Sequence, residues 1–215
     1  MVDFDVIPAR TVLLTIDLQN LFVEGYRASA PDGRATLARV NQLAAVCRAA
    51  GVLVMHASHV LRPDGANMGV LGELYPEVRA GLLGKGGAPT ALHRDLVVGP
   101  GDLLLEKPRY GAFHGTDLEL ILRARGVDTI IVAGIATNIC CDTTAREAMV
   151  RDFRVLFLSD GTATVEAAGL SAEAIQATTL ATVQDAFGQV LSVEETIQKV
   201  ASATRDDVQS ARAVQ

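Results

Sequence analysis

The sequence predicts an α/β protein, a three-layer α/β/α sandwich around a mostly parallel sheet of about six strands. Two observations predict this fold. Short runs rich in Val, Ile and Leu alternate with longer segments of helical periodicity, and these runs are apolar throughout. A strand that is apolar on both faces is buried on both faces, and helical connections between successive strands produce a parallel sheet covered by helices.

The predicted elements follow from these patterns. The strands are expected at residues 11–16, 52–56, 102–105, 129–133, 154–158 and, as a short one, 189–192. The helices are expected at residues 34–50, from 116 or 117 to 125, and at 142–150, 171–187 and 193–201. Asp32 is a candidate N-cap of the first helix, and Gly51 is its expected end.

A single domain is expected over residues 1–215, because one hydrophobic core can extend to roughly 250 residues and no linker or repeat interrupts the chain. Residues 62–101 are rich in Gly and Pro. They predict a long excursion that lies over the functional site, since long loops in compact domains are usually functional. We expect the polar tail from about Ala203 to be disordered.

Composition excludes several classes of protein. Acidic residues number 25 against 19 basic ones, and no Lys/Arg cluster stands out, so no nucleic-acid partner is expected. No apolar run approaches the roughly 20 residues that span a bilayer, and Asp3 and Asp5 stand where a signal peptide would be basic. Three cysteines at uneven spacing predict reduced thiols in a cytoplasmic protein.

Three chemically active side chains follow three of the predicted strands. Asp17 follows the first strand, Lys107 the third, and Cys140 the fourth. Carboxyl ends of parallel strands meet at one edge of a sheet, so these side chains can converge. A cysteine beside the first turn of a helix favours the thiolate, a carboxylate can take its proton, and an ammonium can stabilise the anion. Taken singly, each residue has a plainer explanation: a helix cap, a solvated lysine, a small buried thiol.

These residues lie in motifs that resemble those of the isochorismatase-like cysteine hydrolases, over nearly the whole chain. The motifs are Asp-Leu-Gln-Asn-Leu-Phe at 17–22, Lys-Pro-Arg-Tyr-Gly-Ala-Phe at 107–113, and Gly-Ile-Ala-Thr-Asn-Ile-Cys at 134–140 followed by Thr-Ala-Arg at 144–146. Gly111 replaces a Ser that is usual in the family, and Cys141 stands where relatives mostly carry a small apolar residue. All three motifs in this order are a specific signal, and the resemblance implies a Rossmann-type sheet.

The resemblance also implies roles. Cys140 is the expected nucleophile, Asp17 the base, and Lys107 the source of positive charge. The backbone N–H groups of Ala136 and Cys140 are the expected oxyanion hole, with a cis peptide bond between Ile135 and Ala136. Assembly into homodimers or homotetramers is implied as well.

Substrate contacts are expected from five side chains. Aromatic walls are predicted at Phe22 and Tyr110, and polar contacts at Asn67 and Thr137. Phe113 is a further candidate, and ordinary packing is the alternative for both Phe22 and Phe113. Arg62 can meet a substrate carboxylate through its planar guanidinium, although a solvated loop arginine is an equal alternative. The role of His114 is left open.

No metal and no organic cofactor are expected. Nicotinamidases of this family bind a metal through an Asp-x-His after the second strand, but here Ala57 stands at the Asp position, between His56 and His59. Either histidine could face the pocket, and a pair at this spacing is more often satisfied by hydrogen bonds.

The sequence therefore predicts a cysteine amidohydrolase that cleaves a C–N bond of a small amide or ureido (N-carbamoyl) substrate, most similar to ureidoacrylate amidohydrolases. Two alternatives stay open: a vinyl-ether hydrolase of the isochorismatase type, and an inactive family member that acts as a binding module. A dinucleotide oxidoreductase is disfavoured, because no Gly-x-Gly-x-x-Gly follows the first strand.

Overall fold

A computed structural model describes the backbone of residues 2–213 and the side chains of residues 2–203. Its centre is a six-stranded sheet in which every neighbouring pair is parallel. The strands are β1 (Thr11–Ile16), β2 (Leu53–His59), β3 (Leu103–Lys107), β4 (Thr129–Ile135), β5 (Arg154–Ala163) and β6 (Gln189–Leu191). They lie side by side in the order β3-β2-β1-β4-β5-β6. The predicted α/β sheet is confirmed.

The helices are α1 (Asn20–Val23), α2 (Gly33–Ala50), α3 (Leu71–Leu74), α4 (Pro76–Arg79), α5 (Leu118–Ala124), α6 (Asp142–Met149), α7 (Ala172–Ala186) and α8 (Val193–Ala213). Gly51 ends α2 in the left-handed conformation, as predicted (φ 81°). Asp32 occupies the N-cap position, but its side chain makes no capping hydrogen bond. The last helix was predicted too short, since α8 continues past Ala201 over a stretch that contains neither Gly nor Pro.

The core has two layers because successive side chains of each strand point to opposite faces of the sheet. On one face Leu13 of β1 packs with the apolar side of α2 and α8. On the other face Val12 and Leu14 pack with α5, α6 and α7. Each strand is thus covered on both faces, which is why its sequence is apolar throughout.

The carboxyl ends of β1 to β4 lie together at one edge of the sheet. Ile16 pairs with both Ala57 and Gly134, and His59 pairs with Lys107. Sequence patterns placed the ends of β2, β3 and β4 two or three residues too early and the end of β5 five residues too early, because most of the final residues of these strands are polar or small. His59 and Lys107 are the last residues of β2 and β3, and backbone pairing between these two strands fixes their positions.

A buried polar network links α2 to β2 and to the segment just before β3, away from the carboxyl ends of the strands. His56 contacts Thr15 Oγ1 through Nδ1 at 2.7 Å and Asp102 Oδ2 through Nε2 at 3.0 Å. Asp102 also accepts hydrogen bonds from Arg48 Nη2 and from the Gly99 N–H, both at 2.7 Å. We expect a histidine at this spacing to be satisfied by hydrogen bonds, and this is so for His56, since both of its ring nitrogens have partners. His56 therefore does not reach the predicted site.

Replacing Asp102 with Asn is expected to lower the free energy of unfolding by about 2–4 kcal/mol, because Arg48 and His56 lose a shared anionic partner. Burial raises the pKa of Asp102, but Arg48, the Gly99 N–H and His56 together bring it down to about 2. Since the folded-state pKa lies below the ordinary value, this stabilisation is complete above about pH 4 and is lost as the pH falls through 2. Urea denaturation of wild type and Asp102→Asn at pH 7 and pH 3 measures both effects; equal stability at pH 7 would contradict the role given to the network.

Within residues 2–213, no helix combines the length and apolar character needed to cross a membrane.

Candidate active site

Asp17 and Lys107 form a buried ion pair where β1 and β3 end. Both side chains are 0% exposed, and Lys107 Nζ donates to Asp17 Oδ2 at 2.8 Å and to the Arg109 carbonyl at 3.1 Å. Burial lowers the pKa of Lys107, but the Asp17 carboxylate and Cys140 together outweigh it, so this pKa is raised and the ammonium stays charged. The alternatives of a helix cap and a solvated lysine are therefore wrong for this pair.

Cys140 lies beside this pair, as the three-strand prediction requires. It is 5% exposed, and its sulfur lies within 4.8 Å of a carboxylate oxygen of Asp17 and a ring nitrogen of His59. Asp17 Oδ2 is bound to Lys107, whereas Asp17 Oδ1 is buried without a hydrogen-bond partner. A buried carboxylate oxygen without a partner is costly, and here it lies where a thiol proton can be taken up.

The turn that carries Cys140 is held by side-chain hydrogen bonds from two directions. It is a π-helical turn, Thr137–Cys141, that leads into α6. Thr144 Oγ1 donates to the Cys140 carbonyl at 2.7 Å and accepts from the Ala112 N–H at 3.1 Å, which links the nucleophile turn to the loop after Lys107. Thr164 Oγ1 donates to Asn138 at 2.6 Å from the segment after β5. These bonds keep the turn in place relative to the Lys107 loop.

The approach of β4 to β1 requires glycine at position 134. Gly134 has a φ of 124°, and a Cβ there would lie 2.0 Å from the Ile16 carbonyl oxygen. Immediately after it the Ile135–Ala136 peptide bond is cis, as predicted. The Ala136 carbonyl accepts hydrogen bonds from the N–H groups of Ile139 and Cys141. The N–H groups of Ile139 and Cys141 are therefore already hydrogen-bonded. The oxyanion hole formed by the N–H groups of Ala136 and Cys140 stays a prediction.

The free Cys140 side chain is a thiol and not a thiolate. Burial raises the pKa of Cys140, the Asp17 carboxylate raises it further, and Lys107 lowers it only in part. The expected preference for the thiolate is therefore not met, because desolvation and the Asp17 carboxylate raise this pKa. A thiolate at Cys140 requires a base that takes up the proton.

Alkylation of Cys140 by iodoacetamide is expected to accelerate by about tenfold per pH unit from pH 7 to pH 10 without a plateau, because the thiolate fraction of a thiol with a raised pKa keeps rising over that range. Peptide mass spectrometry measures the rate at Cys140, with Cys140→Ala to account for Cys47 and Cys141. A plateau below pH 8 would show a preformed thiolate and contradict this assignment.

His59 faces the same site. Its backbone N–H donates to Gln19 Oε1 at 2.8 Å and its carbonyl accepts from Gln19 Nε2 at 3.2 Å, so Gln19 locks the end of β2 to the segment after β1. The His59 residue is 2% exposed, and its Nε2 has no hydrogen-bond partner. Burial, and then the Lys107 ammonium, lower the pKa of His59 to about 4, so the imidazole is neutral at pH 7.

The structure separates the predicted substrate contacts. Tyr110 is half-buried and its ring lies edge-on to His59, with 5.9 Å between centroids, at the wall of the site. Phe22 is half-buried and packs against the main core and a smaller apolar cluster that includes Leu61 and Leu71. Phe113 packs on Phe153 in the core. Packing thus accounts for Phe113 and Phe22, while Tyr110 lies beside a site residue.

The two predicted polar contacts already have partners. Thr137 is buried and donates to Gln176 Oε1 at 2.6 Å, which ties the nucleophile turn to α7. Asn67 lines a cavity of about 350 Å³ beside the site, but its Oδ1 accepts from the Arg62 N–H at 2.9 Å. Neither Asp17 nor Cys140 belongs to the lining of that cavity. Contact of either residue with substrate stays a prediction.

Two residues left open by the sequence lie on the surface. Arg62 is exposed and forms an ion pair with Asp64 at 2.8 Å, so its guanidinium already has a carboxylate partner. His114 is exposed. Nothing in the geometry connects either of them to Cys140.

Residues 62–101 border the site. Leu92 forms a bridge with Gln19, the Thr90 carbonyl accepts from Gln19 Nε2 at 2.7 Å, and the His93 N–H donates to the Leu18 carbonyl at 2.9 Å. Tyr75 of the same segment contacts Tyr110; burial, followed by the Tyr75 hydrogen bond, raises the pKa of Tyr110. The excursion is therefore anchored on the segment that carries Asp17.

Sequence patterns gave no hint of the reason for Gly111. A Cβ at this position would lie 2.1 Å from Glu147 Oε2, and the same carboxylate oxygen accepts from the Phe113 N–H at 3.1 Å. Glu147 of α6 thus fills the space that a side chain at position 111 would need. Its carboxylate also fixes the loop after Lys107.

Asp17, His59 and Cys140 form a group that could hold a metal ion, because one ligand atom from each lies within 4.8 Å of the others. The Lys107 ammonium, 2.8 Å from Asp17, opposes a further cation at this place by direct repulsion. The donor set is therefore a poor match for a divalent cation.

Comparisons with known proteins agree with the geometry. The isochorismatase domain model matches residues 11–195. A ureidoacrylate amidohydrolase, RutB, of Methylorubrum extorquens is 36% identical over 171 residues, covering 71% of this chain and 69% of the relative. The corresponding enzyme of Methylobacterium radiotolerans is 34% identical over 205 residues, covering 86% and 78%. The crystal structure of a cysteine hydrolase from Pseudomonas syringae pv. phaseolicola superposes with a TM-score of 0.90 at 34% identity, covering 94% of this chain and 97% of that one.

Proposed function

Because the chain belongs to the isochorismatase family, we propose that it is a cysteine amidohydrolase that cleaves a C–N bond of a small amide or ureido substrate through a thioester on Cys140. The observation that supports this most directly is the Asp17 carboxylate beside the Cys140 thiol, which has one oxygen held by Lys107 and the other, Oδ1, without a partner. A base, a nucleophile and a fixed positive charge are thereby within reach of one reacting carbonyl.

Acylation begins when Asp17 Oδ1 takes the Cys140 proton and the sulfur attacks the substrate carbonyl carbon. Asp17 then gives this proton to the nitrogen, the C–N bond breaks, and the amine leaves. Water attacks the thioester in the second half; Asp17 takes the water proton and returns it to the sulfur as the C–S bond breaks. Every proton is accounted for by one carboxylate, so no histidine is needed as the base.

Lys107 and the nucleophile turn stabilise the charges that develop. The Lys107 ammonium pairs with the Asp17 carboxylate and lowers the pKa of the Cys140 thiol, so it stabilises the sulfur as it becomes negative. The N–H groups of Ala136 and Cys140 are proposed to bind the carbonyl oxygen when it becomes an oxyanion. Loss of one such donor typically slows the reaction about 100- to 1000-fold.

The retained sulfur favours amide chemistry over vinyl-ether hydrolysis. Vinyl-ether cleavage does not require a sulfur, whereas here Cys140 lies in a buried site with its proposed partners. Relatives above 30% identity are named ureidoacrylate amidohydrolases. All three residues of the proposed machinery meet, which argues against an inactive binding module.

Ammonia release from a panel of small amides tests the proposal: ureidoacrylate, N-carbamoyl amino acids, biuret and nicotinamide. We expect turnover of at least one ureido or carbamoyl compound, with nicotinamide the poorest member. No turnover of any amide, together with cleavage of isochorismate, would contradict the proposal and favour the vinyl-ether hydrolase.

A further inference from the structure

His59 carries a buried polar atom that the catalytic steps above do not use. Its Nε2 has no hydrogen-bond partner, and among the described side chains only Asp17 Oδ1 shares this property. The two atoms belong to His59 and Asp17, and each of these residues places a ligand atom within 4.8 Å of the Cys140 sulfur. The missing partner of Asp17 Oδ1 is explained by the proposed mechanism, in which this oxygen takes up the proton of the Cys140 thiol. The unpartnered His59 Nε2 has no such explanation within the protein.

The tautomer of His59 follows from its surroundings. The ring is hydrogen-bonded to the Pro108 backbone, where proline offers only a carbonyl acceptor. Since Nε2 has no partner, the nitrogen that donates to this carbonyl is Nδ1. A neutral imidazole has a single N–H, so Nε2 presents a bare lone pair to the site.

The position of the ring is fixed on several sides. Gln19 binds both backbone groups of His59, Tyr110 lies edge-on to the ring, and the residue is the last of β2, in register with Lys107. The lone pair is therefore directed at one place and cannot swing to another partner. A fixed acceptor in a buried site is complementary to an N–H donor on whatever occupies that site.

We propose that His59 Nε2 accepts a hydrogen bond from an N–H of the leaving nitrogen of the substrate, so that the site selects amide and carbamoyl groups over esters. This inference rests on the proposed amidohydrolase function and narrows its substrate class. When the nitrogen is oriented by one N–H on His59, its lone pair is free to receive the proton that Asp17 carries. A substrate whose leaving atom is an oxygen has no N–H to offer and leaves Nε2 unsatisfied.

A metal ion is the competing occupant of the same space. Asp17, His59 and Cys140 supply a set of ligand atoms, but Lys107 supplies a positive charge at the same carboxylate. A donor N–H on a neutral substrate satisfies the lone pair without meeting that charge. The substrate is therefore the occupant that we assign.

The test compares a primary amide that the wild type hydrolyses with the methyl ester of the same acyl group, in wild type, His59→Phe and His59→Gln. Phe keeps a planar ring against Tyr110 and removes the acceptor, while Gln offers a carbonyl oxygen. We expect His59→Phe to lower kcat/KM for the amide by about 10- to 100-fold and for the ester by less than about threefold. His59→Gln is expected to recover part of the amide rate.

An equal loss on both substrates would assign His59 a packing role, and an unchanged amide rate would remove any role; either result overturns the inference while the proposed function stands. Loss of wild-type amide turnover with 1,10-phenanthroline, reversed by Zn²⁺, would make His59 a metal ligand and overturn it as well. Absence of any Cys140-dependent amide turnover in the wild type would remove the proposed function itself, and with it this inference.

Discussion

Cys140→Ala is expected to lower kcat for amide hydrolysis by at least about 10⁴-fold, because no other described group lies where a nucleophile is needed. The sulfur lies beside the Asp17 carboxylate, and the substitution removes only this atom from a turn that Thr144 holds at the Cys140 carbonyl and Thr164 holds at the Asn138 side chain. Steady-state ammonia release measures the effect. Thermal unfolding of the same variant verifies that the fold is kept.

Cys141→Ala is the matched control, since it makes the same substitution one residue further along. Cys141 is fully buried in the apolar layer beneath the helices, and burial raises its pKa, so it behaves as a small apolar side chain. We expect its kcat to change by less than about fivefold, with a loss of stability of about 1 kcal/mol. Equal loss of activity in the two variants would contradict the assignment of Cys140 as the nucleophile.

Lys107→Met is expected to lower the free energy of unfolding by about 3–5 kcal/mol and the rate by at least about 100-fold, because it leaves the Asp17 carboxylate buried without its counterion. Lys107 is among the largest fully buried side chains of the described residues, and its ammonium pairs with Asp17. Urea denaturation and ammonia release measure the two effects in the same variant.

Two further variants separate the ion pair from general loss of lysine. The double variant Asp17→Asn, Lys107→Met is expected to recover at least 1–2 kcal/mol of stability relative to Lys107→Met, since no buried charge is left unpaired, while its activity stays lost. Lys85→Met breaks an ion pair with Glu106 in which both side chains are more than half exposed, and we expect a change below 1 kcal/mol. A double variant less stable than Lys107→Met would contradict the account of the pair.

Most of the fold could be predicted because both faces of the sheet are buried. That burial makes each strand an apolar run, and β1 was placed to the residue, at Thr11–Ile16. Strand ends could not be placed in the same way. Their last residues, such as His59 and Lys107, are held by backbone pairing while their side chains serve the site, so hydrophobic pattern stops before the strand does.

The proposed catalytic residues could be placed because each lies at the end of a strand or shortly after it, whereas the proposed role of His59 could not be predicted. His56 and His59 looked equivalent in the sequence. In a strand, residues three apart point to opposite faces, and the structure places His56 in the network around Asp102 and His59 beside Cys140. Had β2 been extended to residue 59, this alternation would have separated the two histidines.

Contacts that depend on remote packing gave no sequence signal. Glu147 of α6 lies against Gly111 in the loop after Lys107, although the two residues are far apart in the sequence. Phe113 was a candidate for substrate contact, and its position against Phe153 follows from the course of the same loop. The pKa of Cys140 also depends on burial, which the motif around the cysteine does not reveal.

Partitioning with hydroxylamine is the measurement that tests the thioester on Cys140 most directly. An amide and an ester with the same acyl group are each hydrolysed in the presence of hydroxylamine, and the ratio of hydroxamate to acid is measured, with Cys140→Ala as the control for direct reaction. A common thioester predicts one identical ratio for both substrates and no hydroxamate above background in the variant. Ratios that differ with the leaving group, or hydroxamate formation that survives in Cys140→Ala, would contradict the covalent mechanism.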